Sequence, residues 1–444
     1  MSDKDRERAT RNKKPHGSEA EDTGASSEPV AGEQRQQQQV EPAPTDFRRH
    51  LWLLVLILGV VAAAWLANRV VAAKPEREPE APASPASTET PAPQEPAVKI
   101  PSYRELTEAQ RLAARLSIHS VVAGGRRYIV ASPAHKPPGS DEAVAPRLFD
   151  VTETAEGFDI ADTMQLPGMY ADRFPLLDQS SDEPPQFAPA KDVTILAPDE
   201  TVIVVSQGEE SRAYPVRILN MHSAVRDDLA GTPILVCWSF VTQMPSCLVI
   251  PAEDAKVRWG TAGRFYRGNP VLYDETTGSL WDSFSGLALT GPKAGTRLGR
   301  IPATVHPWGE WQARRPEVLT LTASPSYGQG ISAMVAAYLA DQEQPFPLPG
   351  YDPETSGGPP AKAFVIGVQI GAQAKAYPLA ALLEAGHNTL EDELGGEKVV
   401  ITVTSFRTAH AADAEGNLLD ASVMLWSGWK SVCPNTEVWS APTD

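Results

Sequence analysis

The sequence predicts an α+β fold, mainly β: a duplicated β-rich repeat with short helices, preceded by one transmembrane helix and disordered segments. Three observations lead there. Short apolar runs rich in Val, Ile and Leu are punctuated by Gly and Pro turns, the pattern of short strands. A basic-Ala-Tyr-Pro signature occurs twice, at Arg212–Pro215 and Lys375–Pro378. Near the N-terminus, an uncharged apolar stretch stands between polar, Pro-rich segments.

A chain of 444 residues has room for two or three domains. Its apolar fraction of 42% is low and its 41 prolines are many, but much of the excess sits in two stretches, so the deficit is local. Residues 1–46 carry Glu, Gln, Lys, Ser and Pro with almost no large apolar side chains. Such a composition buries too little surface to offset ordering entropy, which predicts a disordered cytoplasmic tail. Residues 47–74 are predicted to form the transmembrane helix. Leu51–Ala67 reads LWLLVLILGVVAAAWLA, and a helix over 51–73 covers a hydrocarbon core of about 30 Å at about 1.5 Å per residue. Trp52 and Trp65 lie near the two expected interfaces. Basic residues from Lys4 to Lys14, with Arg48 and Arg49, precede the run, whereas Glu76, Glu78 and Glu80 dilute the charge behind it. The positive-inside rule then predicts a single-pass inner-membrane protein, N-terminus cytoplasmic and C-terminal domain periplasmic or extracytoplasmic, with the bilayer as a partner through 51–73. Residues 75–99 form a Pro/Ala/Glu linker that favours extended conformations.

Residues 100–186 form the N-terminal part of the far-side region. Leu106, Leu112 and Leu116 suit a short amphipathic helix. Ser120–Ala123 and Arg127–Ala131 read as strands around a Gly124-Gly125 turn, and Leu148–Val151 as another. Pro-rich loops are expected over 133–146 and 178–190.

The duplication occupies the rest: a first repeat over 187–330, a Pro/Gly-rich connection over 331–362, and a shortened second repeat over 363–444. Thr201–Leu219 reads TVIVVSQGEESRAYPVRIL and Ala363–Leu382 reads AFVIGVQIGAQAKAYPLAAL. Each is followed by an acidic, Gly-containing turn and an apolar run, Pro233–Phe240 or Val399–Phe406. Each closes on a Trp-x-x-Trp, Trp308–Trp311 or Trp426–Trp429. The Tyr-Pro pair recurs after 163 residues but the Trp pair after 118, so the second copy lacks about 45 residues, chiefly those matching Gly260–Thr296.

Taken together these marks resemble the bacterial domain-of-unknown-function family 3179. The resemblance rests on Arg212-Ala213-Tyr214-Pro215, Leu219-Asn220-Met221-His222, Asp227-Asp228 before Gly231, Tyr273-Asp274 before Leu280-Trp281-Asp282, and Trp308–Trp311 with Pro316. It runs from about Phe187 to Val438. The family brings no established activity. Its usual Cys-Pro-Leu-Cys stretch is here Ser239-Phe240-Val241-Thr242, so both thiols of that pattern are absent.

The candidate site is His222 with Asp227 and Asp228, one imidazole and two carboxylates within a few residues. The competing reading is a histidine hydrogen-bonded into the fold, because no further ligand stands at a recognisable metal spacing. Cys237 and Cys247 flank a turn containing Pro245. They suit either a disulfide across a hairpin in an oxidising compartment or two buried free thiols. The paired tryptophans suit a core more than a sugar platform. A formal charge of −17 argues against a nucleic-acid partner. The leading functional expectation is a membrane-tethered, non-catalytic binding or scaffold module that meets an envelope protein or a glycan. The alternative is a metal-binding protein or enzyme centred on His222 and Asp227 or Asp228.

Overall fold

The computed structural model describes residues 120–130, 147–166, 171–172, 175–179, 184–323, 330–341 and 345–441. Three short strands come first: β1 (Val121–Ala123), β2 (Arg126–Val130) and β3 (Leu148–Asp150). They form an antiparallel sheet of their own, and Ile129 and Phe149 are buried. Three small strands, β4 (Thr163–Met164), β5 (Leu177–Asp178) and β6 (Gln186–Pro189), each add an edge to a later sheet.

The first copy runs β7 (Thr201–Gln207), β8 (Glu210–Pro215), α1 (Val216–His222), β9 (Ala224–Leu229), β10 (Thr232–Ser239) and β11 (Met244–Val249). An inserted meander follows: β12 (Trp259–Tyr266), β13 (Asn269–Asp274), β14 (Leu280–Asp282) and β15 (Ala288–Thr290). The copy ends with β16 (Gly299–Ile301), β17 (Ala303–Pro307), α2 (Trp308–Arg314) and β18 (Leu319–Ala323). A helix, α3 (Gly330–Ala340), lies in the connection. The second copy repeats the plan without the meander: β19 (Phe364–Ile370), β20 (Gln373–Pro378), α4 (Leu379–Glu384), β21 (Thr389–Leu394), β22 (Glu397–Ser405), β23 (Thr408–Ala412), β24 (Ala421–Leu425), α5 (Trp426–Val432) and β25 (Glu437–Val438).

The sheet topology repeats with the sequence. One sheet has the order β17-β7-β8-β18-β6, and its counterpart has β24-β19-β20-β25. Val202 pairs with Pro215, and Val365 with Pro378, in the same antiparallel register. Each hairpin is closed by a parallel strand, Leu319 beside Arg212 and Glu437 beside Lys375. The prolines end the ladder because they lack an N–H, and their fixed φ then starts the following helix. A second sheet in each copy is a meander, β16-β11-β10-β9-β5 or β21-β22-β23. Its first hairpin turns through two residues with positive φ, Ala230-Gly231 or Gly395-Gly396, as a twist-matched two-residue turn demands. The inserted strands make a five-stranded sheet of their own with β4 at its edge.

The two copies share one core. Ile203, Tyr214, Val225 and Val236 of the first pack in the same apolar cluster as Ile366, Tyr377, Ile401 and Val423 of the second. The repeats are therefore halves of a single packed body, stabilised by area neither half buries alone.

Several expectations need correction. The fold is mixed α+β and strand-rich, with several small sheets and short helices. Among the described residues no helix is long and apolar enough to cross a membrane. The expected transmembrane helix over 47–74 lies outside the described residues, as do the tail, the 75–99 linker and the helix near Leu106. The single-pass inner-membrane topology and the bilayer as a partner through 51–73 thus have no support among the described residues. The segment over 178–190 contains β6, and the 331–362 connection contains most of α3, so neither is loop throughout.

Candidate functional site

The predicted trio of His222, Asp227 and Asp228 does not converge. His222 is the last residue of α1 and is fully buried. Its Nδ1 lies 2.7 Å from the carbonyl oxygen of Pro175, which can only accept, so Nδ1 carries the proton. Burial pushes its pKa below the ordinary histidine value, so the ring is neutral. Asp227 and Asp228 are neighbours on β9 and point to opposite faces: Asp227 is buried and Asp228 exposed. Asp227 accepts from Arg212, from the Tyr214 hydroxyl at 2.8 Å and from the Asp228 N–H at 2.7 Å. A carboxylate so occupied has little left to offer a metal. Among the described residues no group of three or more His, Cys, Asp or Glu is placed to hold one. The metal-centred alternative is thereby overturned.

The second copy explains Asp227. Asp392 of β21 accepts from Lys375 at 2.6 Å, from Tyr377 at 3.0 Å and from the Glu393 N–H at 2.8 Å. Burial pushes the Asp392 pKa up, but these hydrogen bonds outweigh it and hold the group below its ordinary value. The motif basic-Ala-Tyr-Pro thus serves an ion-pair and hydroxyl clamp between a hairpin and its meander, built twice. Asn220 is likewise structural, accepting the Trp238 indole N–H at 2.8 Å.

Cys237, Cys247 and Cys433 are free. On the β10·β11 ladder Cys237 faces Ser246, while Cys247 faces Val236. The two thiols therefore project to opposite faces of the sheet, into different core clusters, and of the two alternatives they are the buried free thiols rather than a disulfide. Burial pushes the Cys237 thiol up to about 12. Where the family pattern has its own cysteines, hydroxyls take over. Ser239 Oγ donates to the Gly268 carbonyl at 2.6 Å and accepts the Thr242 N–H at 3.2 Å. Thr242 Oγ1 lies 2.8 Å from Asn269 Oδ1, and its carbonyl accepts the Leu425 N–H at 2.8 Å. This buried turn joins the insertion to the second copy.

A better candidate is a cleft of about 230 Å³ where the first copy's extra residues face the second copy's sheet. Its floor is one face of the β19·β24 pair, where Gly367 lies opposite Ser422 and Gln369 follows on the same side. Trp429 of α5 closes one wall. A Cβ on Gly367 would stand 2.2 Å from the indole, so only glycine lets that ring lie against the strand. The corresponding residue of the first copy is Val204, which is buried. Phe284, from the loop after β14, meets Trp429 edge to face at 6.5 Å.

The cleft's charge comes from Arg300 of β16 and Asp420, 3.1 Å apart. The guanidinium also lies over the Phe284 ring, 4.8 Å from its centroid. Its Nε is buried and makes no hydrogen bond among the described residues. Next to the cleft, the Cys433 thiol is 3.9 Å from Gln369 Oε1. Burial pushes that thiol up to about 11, so it stays protonated at neutral pH. Sequence reasoning passed over Arg300, Gln369 and Asp420, which carry no motif. The one local hint is Gly367, a glycine inside an otherwise apolar strand. The four tryptophans of the paired motifs fall as expected: Trp308, Trp426 and Trp429 are buried, and Trp311 packs on His306 at 5.1 Å.

No curated protein and no solved structure matches the chain. A family model described as "Protein of unknown function (DUF3179)" matches residues 171–423, more than half of the sequence. With its repeated sheets, and without a disulfide-forming cysteine pair, the chain belongs to the DUF3179 family.

Proposed function

We propose that the family domain is a receptor for a small polar ligand, bound in the cleft between its copies and recognised through Arg300. This replaces the membrane-tethered scaffold and metal-centred readings, for which the described residues hold neither a spanning helix nor a metal-ligand cluster. The observation that carries it is the state of Arg300. Its guanidinium is held from two sides, by Asp420 and by the Phe284 face, while its buried Nε–H has no acceptor. Leaving a buried donor unsatisfied costs about 1–3 kcal/mol, and the part of the guanidinium that remains open to the cleft is the 19% of the side chain still exposed beside Asp420. An arginine fork held in this way suits a planar anionic group such as a carboxylate. The Phe284 and Trp429 rings lie almost fully buried behind the cleft, and its exposed lining is mainly polar, which suits a small polar ligand.

The test is thermal unfolding of the full chain with millimolar short carboxylates, hydroxy acids and α-amino acids, followed by titration calorimetry of any hit. Binding to the native state raises the midpoint, by about 2.7 kcal/mol of stability at a hundredfold excess over Kd. Arg300→Gln is expected to abolish the response while its circular dichroism matches wild type. A wild-type midpoint indifferent to the whole panel, or a variant that still responds, ends the reading.

A further inference from the structure

Resting on that cleft, we infer that its ligand is a zwitterion of free α-amino-acid size, its carboxylate on Arg300 and its ammonium on Asp420. The cleft presents two opposite charges side by side, and both partners are incompletely used. Arg300 meets Asp420 through one terminal nitrogen, at 3.1 Å, and its side chain keeps 19% exposure at the cleft. Asp420 is engaged there through Oδ1, and its side chain is 42% exposed, so its other oxygen is open to a donor. A ligand that is only a carboxylate gains Arg300 but is set against Asp420. A simple amine gains Asp420 but is set against Arg300. Like-charge juxtaposition of this kind works against the wrong partner. A zwitterion complements both, with a carboxylate-to-ammonium spacing short enough for two groups that already touch.

Size and the remaining walls agree. At about 30 Å³ per water, a cleft of about 230 Å³ has room for about eight waters, enough for a free amino acid with a small or branched side chain. That side chain has to be small, because the edge-to-face Phe284 and Trp429 rings behind the cleft are almost fully buried and its exposed lining is mainly polar. Gln369, whose Nε2 already donates to the Gly371 carbonyl at 3.3 Å, borders the same floor and leaves no further charge to satisfy.

Calorimetric titration of the full chain with three probes of one shape tests this: L-valine, isovalerate without the amine, and isobutylamine without the carboxylate. Valine, or another α-amino acid of the wider panel against its own matched pair, is expected to bind at least about tenfold tighter than either truncated probe. Arg300→Gln and Asp420→Asn are each expected to weaken it by about tenfold or more. Since both substitutions break the same ion pair, unfolding curves without ligand show whether each variant is folded. Isovalerate binding as well as valine, or an Asp420→Asn variant unchanged in affinity, overturns the zwitterion and leaves an anion-binding cleft. Binding of a carboxylate but of no α-amino acid overturns it in the same way. Silence across every probe removes the cleft reading as well.

Discussion

Asp227 and Asp392 hold the same post in the two copies: each accepts a tyrosine hydroxyl, from Tyr214 at 2.8 Å and from Tyr377 at 3.0 Å. Each also pairs with the basic residue two positions before that tyrosine, Arg212 or Lys375, and takes the N–H of its own successor. The repeat-like sheets therefore carry the same polar clamp between two sheets twice. Its burial differs, however, with the Asp227 side chain 1% exposed and that of Asp392 22%.

That difference sets an order of stability. Asp227→Ala strands a partly buried guanidinium and a buried tyrosine hydroxyl, and is expected to cost about 3 kcal/mol. Asp392→Ala, nearer to solvent, is expected to cost about 1 kcal/mol. Urea unfolding of the two variants measures both, and equal losses would refute the assignment.

Gly367→Ala is expected to cost about 2 kcal/mol, because the new methyl overlaps the Trp429 indole. In a Trp429→Leu background the same change should cost at least about 1 kcal/mol less, the two sites being in contact. A double-mutant cycle with no coupling would mean that the ring does not rest on the strand.

His306 of β17 sets a pH window. Burial, then the charges of His410 on β23 and of Arg314, depress its pKa to about 4. The ordinary unfolded value is about 6.5, so between the two the unfolded chain binds more protons than the folded one. Its stabilising contribution is complete above about pH 6.5 and is lost as pH falls towards 4, with a limit on the order of 3 kcal/mol. His306→Gln, which keeps a partner for Thr304 Oγ1 at 2.9 Å in the parent, should flatten that part of the curve. Urea midpoints across the window decide it, and an unchanged slope assigns the dependence elsewhere.

The three thiols are buried and free. They should resist a disulfide-exchange reagent in the native protein and titrate fully in denaturant. Mild oxidation should leave the intact mass unchanged. A loss of two hydrogens would indicate an intramolecular bridge and contradict the opposed faces of Cys237 and Cys247.

How much was legible follows from how local each feature is. The strands around Gly124-Gly125, the β7·β8 and β19·β20 hairpins and the helices begun by Pro215 and Pro378 were all readable, because turn glycines, prolines and apolar runs act within a few residues. The meaning of His222, Asp227 and Asp228 was not. Closeness along a strand places consecutive side chains on opposite faces, and only the partners brought by other elements show that Asp227 is a clamp. The same alternation separated Cys237 from Cys247.

By itself, then, the sequence determined the repeat, its strand and turn pattern and its family, since these are written in contiguous residues and their spacing. The tertiary structure alone decided that both copies share a core and that Arg300, Asp420, Phe284 and Trp429 border one cleft. No local rule brings those four together. They meet because β16 and the loop after β14 of the first copy pack beside a sheet of the second, and such packing depends on the shape and burial of whole elements.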